Sequence, residues 1–569
     1  MSATASSAHS QALPGRPILA ADEKAARLAL CVIAAFLLLA LGLPLWTMLS
    51  KSFQDSAGSF AGLANYARYF TTPALVHSLA NTLWIGILTT IIVVPLAFAY
   101  AYALTRSRMP GRALFGAIAM LPLFAPSLLP ALSLIYIFGN QGFLKSLLGG
   151  GQIYGAPGIV IAQTLYCFPQ ALIILVTALS LSDARLYDAA DAMGTSRLRR
   201  FLTITFPGVK YGVVSACFVV FILVITDFGI AKVIGGQFDV LATDAYKQVV
   251  GQQNFQMGAV VGMVLLVPAV FAFFADRLLQ RKQVVLLSAR SVAYEAKPEA
   301  ARDRLLLLFC SSIALIIVGV FAVAAWASFI TYWPYNLTLS LNNYNFEAFD
   351  SSGWQPYFNS LKMAVAVAFI GTAVAFSGAY LVEKTKGAAA LRNTIHFLAM
   401  LPMAVPGLVL GLAYVFFFVA KANPLNVFYG TLTLLSLNCI AHFYTVGHIT
   451  GTTALKQIDP EFESVSASLR VPFYVTFFRV TAPVCLPAVL EIFMYFFVNA
   501  LTTVSAVIFL YGPTTRLASV SIVHMDEAGQ SAVAAALATL ILLTALAAKL
   551  MQIAASHFLF DRMQAWRKR

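Results

Sequence analysis

Asp227 and Glu491 are carboxylates set in long apolar runs, and Gln163, His442, Asn499 and Thr502 add hydrogen-bonding groups in similar surroundings. Polar groups at membrane depth are costly and mark solute or proton paths, so these six are candidates for lining a translocation pathway. The competing role is to bridge helices, and Asp227, near the outer end of its run, could equally be a gate or a solvated cap. Two proline pairs join them: Pro122 and Pro126 in AMLPLFAP (119–126), and Pro402 and Pro406 in AMLPMAVP (399–406). Each proline removes a backbone donor and kinks or breaks a helix. In lipid that is tolerated only where the freed carbonyls are covered by protein or face a water-filled cavity. Breaks duplicated at matching positions therefore point to a pathway, with the two segments facing each other beside it.

Other chemistry finds no support. There are no paired carboxylates, no nucleophile elbow and no HExxH, so no catalytic residue is assigned. His442 and His448 are six apart and do not share a helix face as an i, i+4 pair does, and no metal site is expected. No GxxxxGK[ST] loop occurs, so the chain does not bind ATP as that motif does. The six cysteines lie in apolar blocks without CxxC spacing and read as small buried hydrophobes.

The elements that must position these residues are membrane spans. Of 569 residues, 60% are hydrophobic and 11% charged, against about 25% charged in soluble domains. Blocks long enough to cross a core of about 30 Å as helices fall near 28–49, 79–105, 113–138, 157–181, 210–235 and 257–279. They recur near 304–329, 358–383, 391–420, 427–455, 484–510 and 530–556. Residues 236–256 leave room for a short outer helix. The fold class is an all-α membrane protein with 12 transmembrane helices in two parallel six-helix repeats. LANYARYF (63–70) matches LNNYNFEAF (341–349), and NTLWIGIL (81–88) matches NSLKMAVA (359–366). An even number of spans in each copy makes the repeats parallel, related by an axis along the membrane normal.

The net charge of +14 does not gather on one module, as nucleic-acid binding needs. Basic residues instead follow alternate blocks, at Arg106, Arg108 and Arg112, at Arg197, Arg199, Arg200 and Lys210, at Arg277, Arg281 and Lys282, and at Arg562, Arg567, Lys568 and Arg569. By the positive-inside rule both termini and these loops are cytoplasmic. The resulting domains are a cytoplasmic tail 1–27, a six-span domain 28–279, a cytoplasmic linker 280–303, a second six-span domain 304–556 and a basic cytoplasmic tail 557–569.

One basic-side loop, residues 182–207, reads SDARLYDAADAMGTSRLRRFLTITFP. Ser182 is the expected N-cap, with Asp183 in the first turn. Leu186, Ala190 and Met193 fall on one helical face, and Gly194 can end the helix in a left-handed conformation. The small pair Ala189-Ala190 lets another surface approach the backbone. Asp188, Ala189 and Ala190, then Gly194, then Ile204 and Pro207, resemble the cytoplasmic "EAA" loop of binding-protein-dependent ABC importer permeases, with Asp for the usual Glu. The resemblance implies that this loop is the coupling helix docked in a groove of an ATPase subunit. The second half carries a weaker copy, residues 459–483. There Asp459 and Pro460 start a helix whose N-terminus Glu461 and Glu463 favour. Pro483 aligned on Pro207 puts Val480 on Ile204, Ser464 on Asp188 and Arg470 on Gly194, 276 residues apart. With Arg470 in place of Gly, the second loop is expected to dock differently.

The resemblance, which extends over essentially the whole chain, implies the type I ABC importer permease fold and a bacterial inner-membrane location. It also implies that ATP and Mg bind a partner rather than this chain. The expected partners are two copies of a cytosolic ABC ATPase, a periplasmic substrate-binding protein and the lipid bilayer, with no nucleic acid. Fused permeases of this length resemble those for ferric iron, thiamine and 2-aminoethylphosphonate, the last most closely through TDFG (226–229). A twelve-span secondary carrier using Asp227 or Glu491 as a proton relay is the competing reading, and such a carrier has no use for the amphipathic loops.

Overall fold

The structure is a computed structural model of the chain, and it describes residues 21–181, 183–284, 294–385, 387–420, 423–459 and 461–563. The expected tails 1–27 and 557–569, the linker 280–303 and the cap residues Ser182 and Pro460 lie partly or wholly outside the described residues. The first half holds α1 (Asp22–Ser52), α2 (Pro73–Arg106), α3 (Arg112–Phe124), α4 (Leu128–Phe138), α5 (Ala156–Ser180), α6 (Ala184–Ala192), α7 (Arg197–Thr226), α8 (Gly229–Ile234), α9 (Leu241–Tyr246) and α10 (Phe255–Val284). The second holds α11 (Ala300–Phe329), α12 (Gln355–Lys384), α13 (Ala389–Met403), α14 (Gly407–Phe418), α15 (Leu432–Lys456), α16 (Glu461–Ser468), α17 (Phe473–Val484), α18 (Leu486–Thr502), α19 (Ala518–Glu527) and α20 (Ser531–Met563). Among the described residues nine helices are long and apolar enough to cross a membrane, and three bent pairs bring the number to twelve if each pair is one span. The bends are 100° between α3 and α4, 112° between α13 and α14, and 82° between α17 and α18.

Both proline segments break their helices for the expected reason. Ala125, before Pro126, is extended at φ −104°, ψ 149°, as the ring of a following proline demands. Pro406 itself is extended and starts α14. The fifth span differs from expectation: it runs over Arg197–Thr226 rather than 210–235, because Phe206-Pro207 continues a helix begun at Ser196. Pro207 thus lies inside a continuous helix, and a π-helical turn at Phe201–Thr205 shifts the hydrogen-bond pattern just before it.

In each half three spans form the centre: α2, α5 and α7, and then α12, α15 and α18. Small residues let them approach. A Cβ at Gly212 would stand 2.4 Å from the Cβ of Ala178, and one at Gly451 2.9 Å from that of Ala379. The first span of each half packs on the last span of its own half and also reaches across to the other half. α1 packs on α12, α13 and α14 of the second half, and α11 packs on α2, α3 and α4 of the first. The Tyr414 hydroxyl donates to the Ala40 carbonyl across this contact at 2.8 Å.

The sequence repeats are the polar ties of this arrangement. Asn65 donates to the carbonyls of Ser52 and Gln54, and Tyr66 bonds Ser52 at 2.8 Å. In the second copy Asn343 donates to Ser328 and Ile330, and Tyr344 bonds Ser328, also at 2.8 Å. These pairs satisfy carbonyls that the ends of α1 and α11 leave open. Thr82 accepts from the Leu241 amide and Ser360 from the Ala518 amide, both at 2.8 Å, so NTL and NSL fix the starts of α9 and α19.

Candidate functional site

A cavity of about 760 Å³ lies between the halves. Met120, Leu123, Phe124 and Ser127 from the α3–α4 break line one wall, and Pro402, Met403, Val405, Pro406 and Gly407 from the α13–α14 break line another. The two breaks thus border one space, although Pro122 and Pro126 are themselves buried behind it. Asp227, His442, Glu491, Asn499 and Thr502 also line it. Gln163 does not. It donates to Asp227 at 3.1 Å and, with Asp227, lines a small crevice behind the main cavity.

Asp227 lies beyond the last turn of α7, not within the span, because the chain turns extended there at ψ 127°. Its Oδ2 accepts the Ile230 amide at 2.8 Å, so the carboxylate satisfies an open donor at the start of α8. In the other half Asn438 donates to the Ala506 carbonyl at 2.7 Å. Amides of α5 and α15 therefore pin the segments that close the end of the cavity. Beyond that end the halves are strapped together: Lys232 pairs with Glu527 at 2.5 Å and lies 5.1 Å from the Tyr246 ring, which stacks on Phe509. Tyr495 and Lys549 also line the cavity, and neither they nor Lys232 and Glu527 stand out in the sequence as site residues. A lysine inside the apolar run of α20 was the available signal for Lys549.

The two loops lie at the ends of α7 and α17 remote from the strap. In the first, Asp183 is the N-cap, its carboxylate accepting the Arg185 amide at 3.1 Å. Gly194 has φ +64°, and the Thr195 amide donates to Ala190 while that of Gly194 donates to Asp191, the Schellman pattern. In the second, Arg470 has φ +53° and the Val471 amide donates to Ser466. Asp459 accepts the Glu461 amide at 3.0 Å. A π-helical turn at Phe477–Thr481 repeats Phe201–Thr205.

Leu186, Ala190 and Met193, expected on one helical face, do not share an environment. Ala190 is buried, with its side chain on the same inner face as Tyr187, whereas Leu186, Ala189 and Met193 are exposed. Helical spacing alone cannot choose between positions one residue apart; the packing of Tyr187 against Thr205 and Tyr294 does. Leu198 and Leu202 extend the exposed face. The same register in the second loop exposes Phe462, Val465, Leu469, Tyr474 and Phe478. Ile204 and Val480 are half-buried, while Pro207, Pro483 and Ser464 are exposed.

Each loop is held from above by a cation at the end of the second span of its half. Arg106 donates to the Leu179 carbonyl at 2.8 Å and lies over the rings of Tyr187 and Tyr294. Lys384 pairs with Glu463 at 3.2 Å. The chain preceding α11 adds a second anchor. Lys297 bonds Asp191 at 2.7 Å and stands 3.6 Å from Asp188, and Glu299 pairs with Arg197. The Lys297 ammonium holds the Asp191 carboxyl below the usual carboxylate range and is itself raised above the usual lysine range. In the second loop Asp22 accepts the Phe473 amide at 3.0 Å.

Residues 91–285 match the profile of the family described as "Binding-protein-dependent transport system inner membrane component". The chain is 27% identical over 494 residues to a ferric transport system permease protein of Actinobacillus pleuropneumoniae, covering 83% of this chain and 70% of that protein. It is 24% identical over 487 residues to an Fe(3+)-transport system permease protein of Haemophilus influenzae, covering 85% and 90%. A thiamine transport system permease protein of Brucella abortus is 28% identical over 196 residues, covering 33% of this chain and 35% of its own.

Proposed function

We infer that this chain, which belongs to the binding-protein-dependent ABC importer permeases, moves a small polar solute through the cavity between its halves when two ATPase subunits draw the loops together. It is a multi-pass inner-membrane protein and not an enzyme; in this family a separate ATPase subunit hydrolyses ATP and a periplasmic protein delivers the solute. The observation that carries the reading is the pairing of exposed apolar faces. Leu186, Met193, Leu198 and Leu202 recur as Phe462, Leu469, Tyr474 and Phe478, each 276 residues on. Two such faces at equivalent places outside the apolar spans support one ATPase under each loop. Asp188, Ala189, Gly194, Ser464 and Arg470 belong to these surfaces, while Ala190, Ile204, Glu463 and Val480 hold them in place.

The buried segments 227–231 and 504–510 at one end, and the largely exposed Glu491 at the other, support a path closed toward the periplasm and open toward the loops. Alternating access then requires the Lys232–Glu527 strap to part as the halves rock. For the cargo we propose 2-aminoethylphosphonate, with ferric iron and thiamine as the alternatives that the named relatives carry. Uptake of labelled 2-aminoethylphosphonate, ferric iron and thiamine in cells lacking the chain tests this. Loss of one, restored by the chain and abolished by ATP depletion, assigns the cargo; uptake driven by the proton gradient alone overturns the importer reading.

A further inference from the structure

The two spans that face each other across the cavity occupy matching positions in the repeat and differ in side-chain chemistry. α7 presents Val219, Leu223 and Thr226, and the matching positions of α18 are Tyr495, Asn499 and Thr502. One turn nearer the loops, Ser215 corresponds to Glu491, and on the last spans Phe273 corresponds to Lys549. Glu491, Tyr495, Asn499 and Thr502 follow one helical face over about 16 Å. At its inner end Lys549 stands 3.3 Å and 3.4 Å from the two Glu491 oxygens, and Gln552 donates to Glu491 at 2.9 Å. A closed charge-assisted bond is about 2.7–2.9 Å, so the ammonium and carboxylate are juxtaposed without being tightly joined. Both line the cavity.

We propose that the Glu491–Lys549 pair and the polar stripe of α18 form a binding site for a small zwitterion, a solute carrying both an ammonium and an oxyanion group. A purely anionic solute would meet the Glu491 charge and a purely cationic one the Lys549 charge. A zwitterion places its ammonium against Glu491 and its oxyanion against Lys549, replacing one pair by two, while Tyr495 and Asn499 offer hydrogen bonds along its length. The facing α7 carries Val219 and Leu223 toward the cavity, and Asp227 beyond its end lies near the opposite end of the cavity from the Glu491–Lys549 pair.

This rests on the importer reading, and two measurements separate them. The first is thermal unfolding of the whole chain, purified with its ATPase, in millimolar 2-aminoethylphosphonate, ethylphosphonate or ethylamine. The zwitterion should raise Tm by about 2 °C or more, the two half-molecules should not, and Glu491→Gln or Lys549→Met should remove the rise. No rise with the zwitterion, an equal rise with either half-molecule, or a rise kept in both variants overturns the site. Should the single variants fold poorly, Glu491→Gln combined with Lys549→Met decides. It removes both charges together and leaves neither unpaired, so a Tm rise equal to the parent's assigns the pair to tying helices only. The second measurement is ATP-driven uptake. Undiminished uptake in both single variants removes this site and leaves the importer standing, whereas uptake independent of ATP removes the importer whatever the first measurement gives.

Discussion

The first and second loops share a backbone and differ in nearly every side chain that holds it. Both end their helix in a left-handed residue, both enter the next span through a π-helical turn, and both turn an apolar face outward. The first is anchored by Arg106 over two tyrosines and by the Lys297 and Glu299 pairs; the second by Lys384 against Glu463 and by Asp22 on the Phe473 amide. The span that follows is continuous in the first half and bent by 82° in the second. A docking geometry can thus be kept while its supports are replaced, since a cation over an aromatic ring and a cation beside a carboxylate satisfy the same requirement.

The sharpest way to break this equivalence is to put charge on each apolar face in turn. Leu186→Asp with Met193→Asp, and separately Phe462→Asp with Leu469→Asp, should each lower retention of the ATPase in pull-downs by about 30-fold or more, as loss of interface hot spots does. Membrane levels should hold. An effect confined to one pair would show that the loops are not equivalent.

Ala190→Asp should behave differently, because it places an unpaired carboxylate inside the fold at a cost of about 3–5 kcal/mol. Its expected signature is a low yield of folded protein, with Ala189→Asp near normal in yield. At the matching position Ser466 is half-buried and bonds Thr476 at 2.8 Å, so Ser466→Asp should be milder.

Lys297→Ala should speed amide exchange in residues 184–200 and leave 461–478 unchanged, and added salt should do the same. The pH dependence follows from the two shifts. Asp191 is depressed, so its contribution is full above the ordinary carboxylate range and is lost as pH falls through the depressed value. Lys297 is raised, so its contribution is lost only as pH rises through a value above the ordinary lysine range. The clasp therefore holds through neutrality and opens in strong acid or strong alkali; exchange rates constant across that whole range would remove it.

The smallest effect lies at the left-handed positions. Arg470→Gly should stabilise the second loop by about 1 kcal/mol, and Gly194→Arg should destabilise the first by a similar amount, since a side chain in that conformation costs about 1–2 kcal/mol. Local protease susceptibility reads both.

Much of the fold was legible because its signals are local. Span positions follow from hydropathy, the two breaks from proline chemistry, and the left-handed turn from Gly194. The register of 276 residues makes Arg470 its counterpart, and Arg470 shares its positive φ. The bounds of the fifth span were not legible, because a π-helical turn joins a polar loop helix to an apolar one without any change in composition at the join. That Ala190 is buried was not legible, because the choice rests on Tyr187 and Thr205. Asp227 and Gln163, read as pathway groups, turn out to bond each other, and only Asp227 reaches the large cavity. Lys549 was not legible, because one lysine in an apolar helix has no meaning until Glu491 lies opposite.

By itself the sequence determined that the chain must meet lipid, that it is built twice, and where each copy must break, since burial and hydrogen bonding within a helix depend on neighbours a few residues away. Only the tertiary structure decided that the first spans reach across to the other half, that the two breaks line one cavity, and that α18 turns a polar stripe toward it where α7 turns Val219 and Leu223. Those outcomes depend on which surfaces meet across hundreds of residues. Apolar faces packed in lipid are nearly interchangeable by composition, so their partners are chosen by the fit of small residues and by a few polar ties that no local pattern reveals.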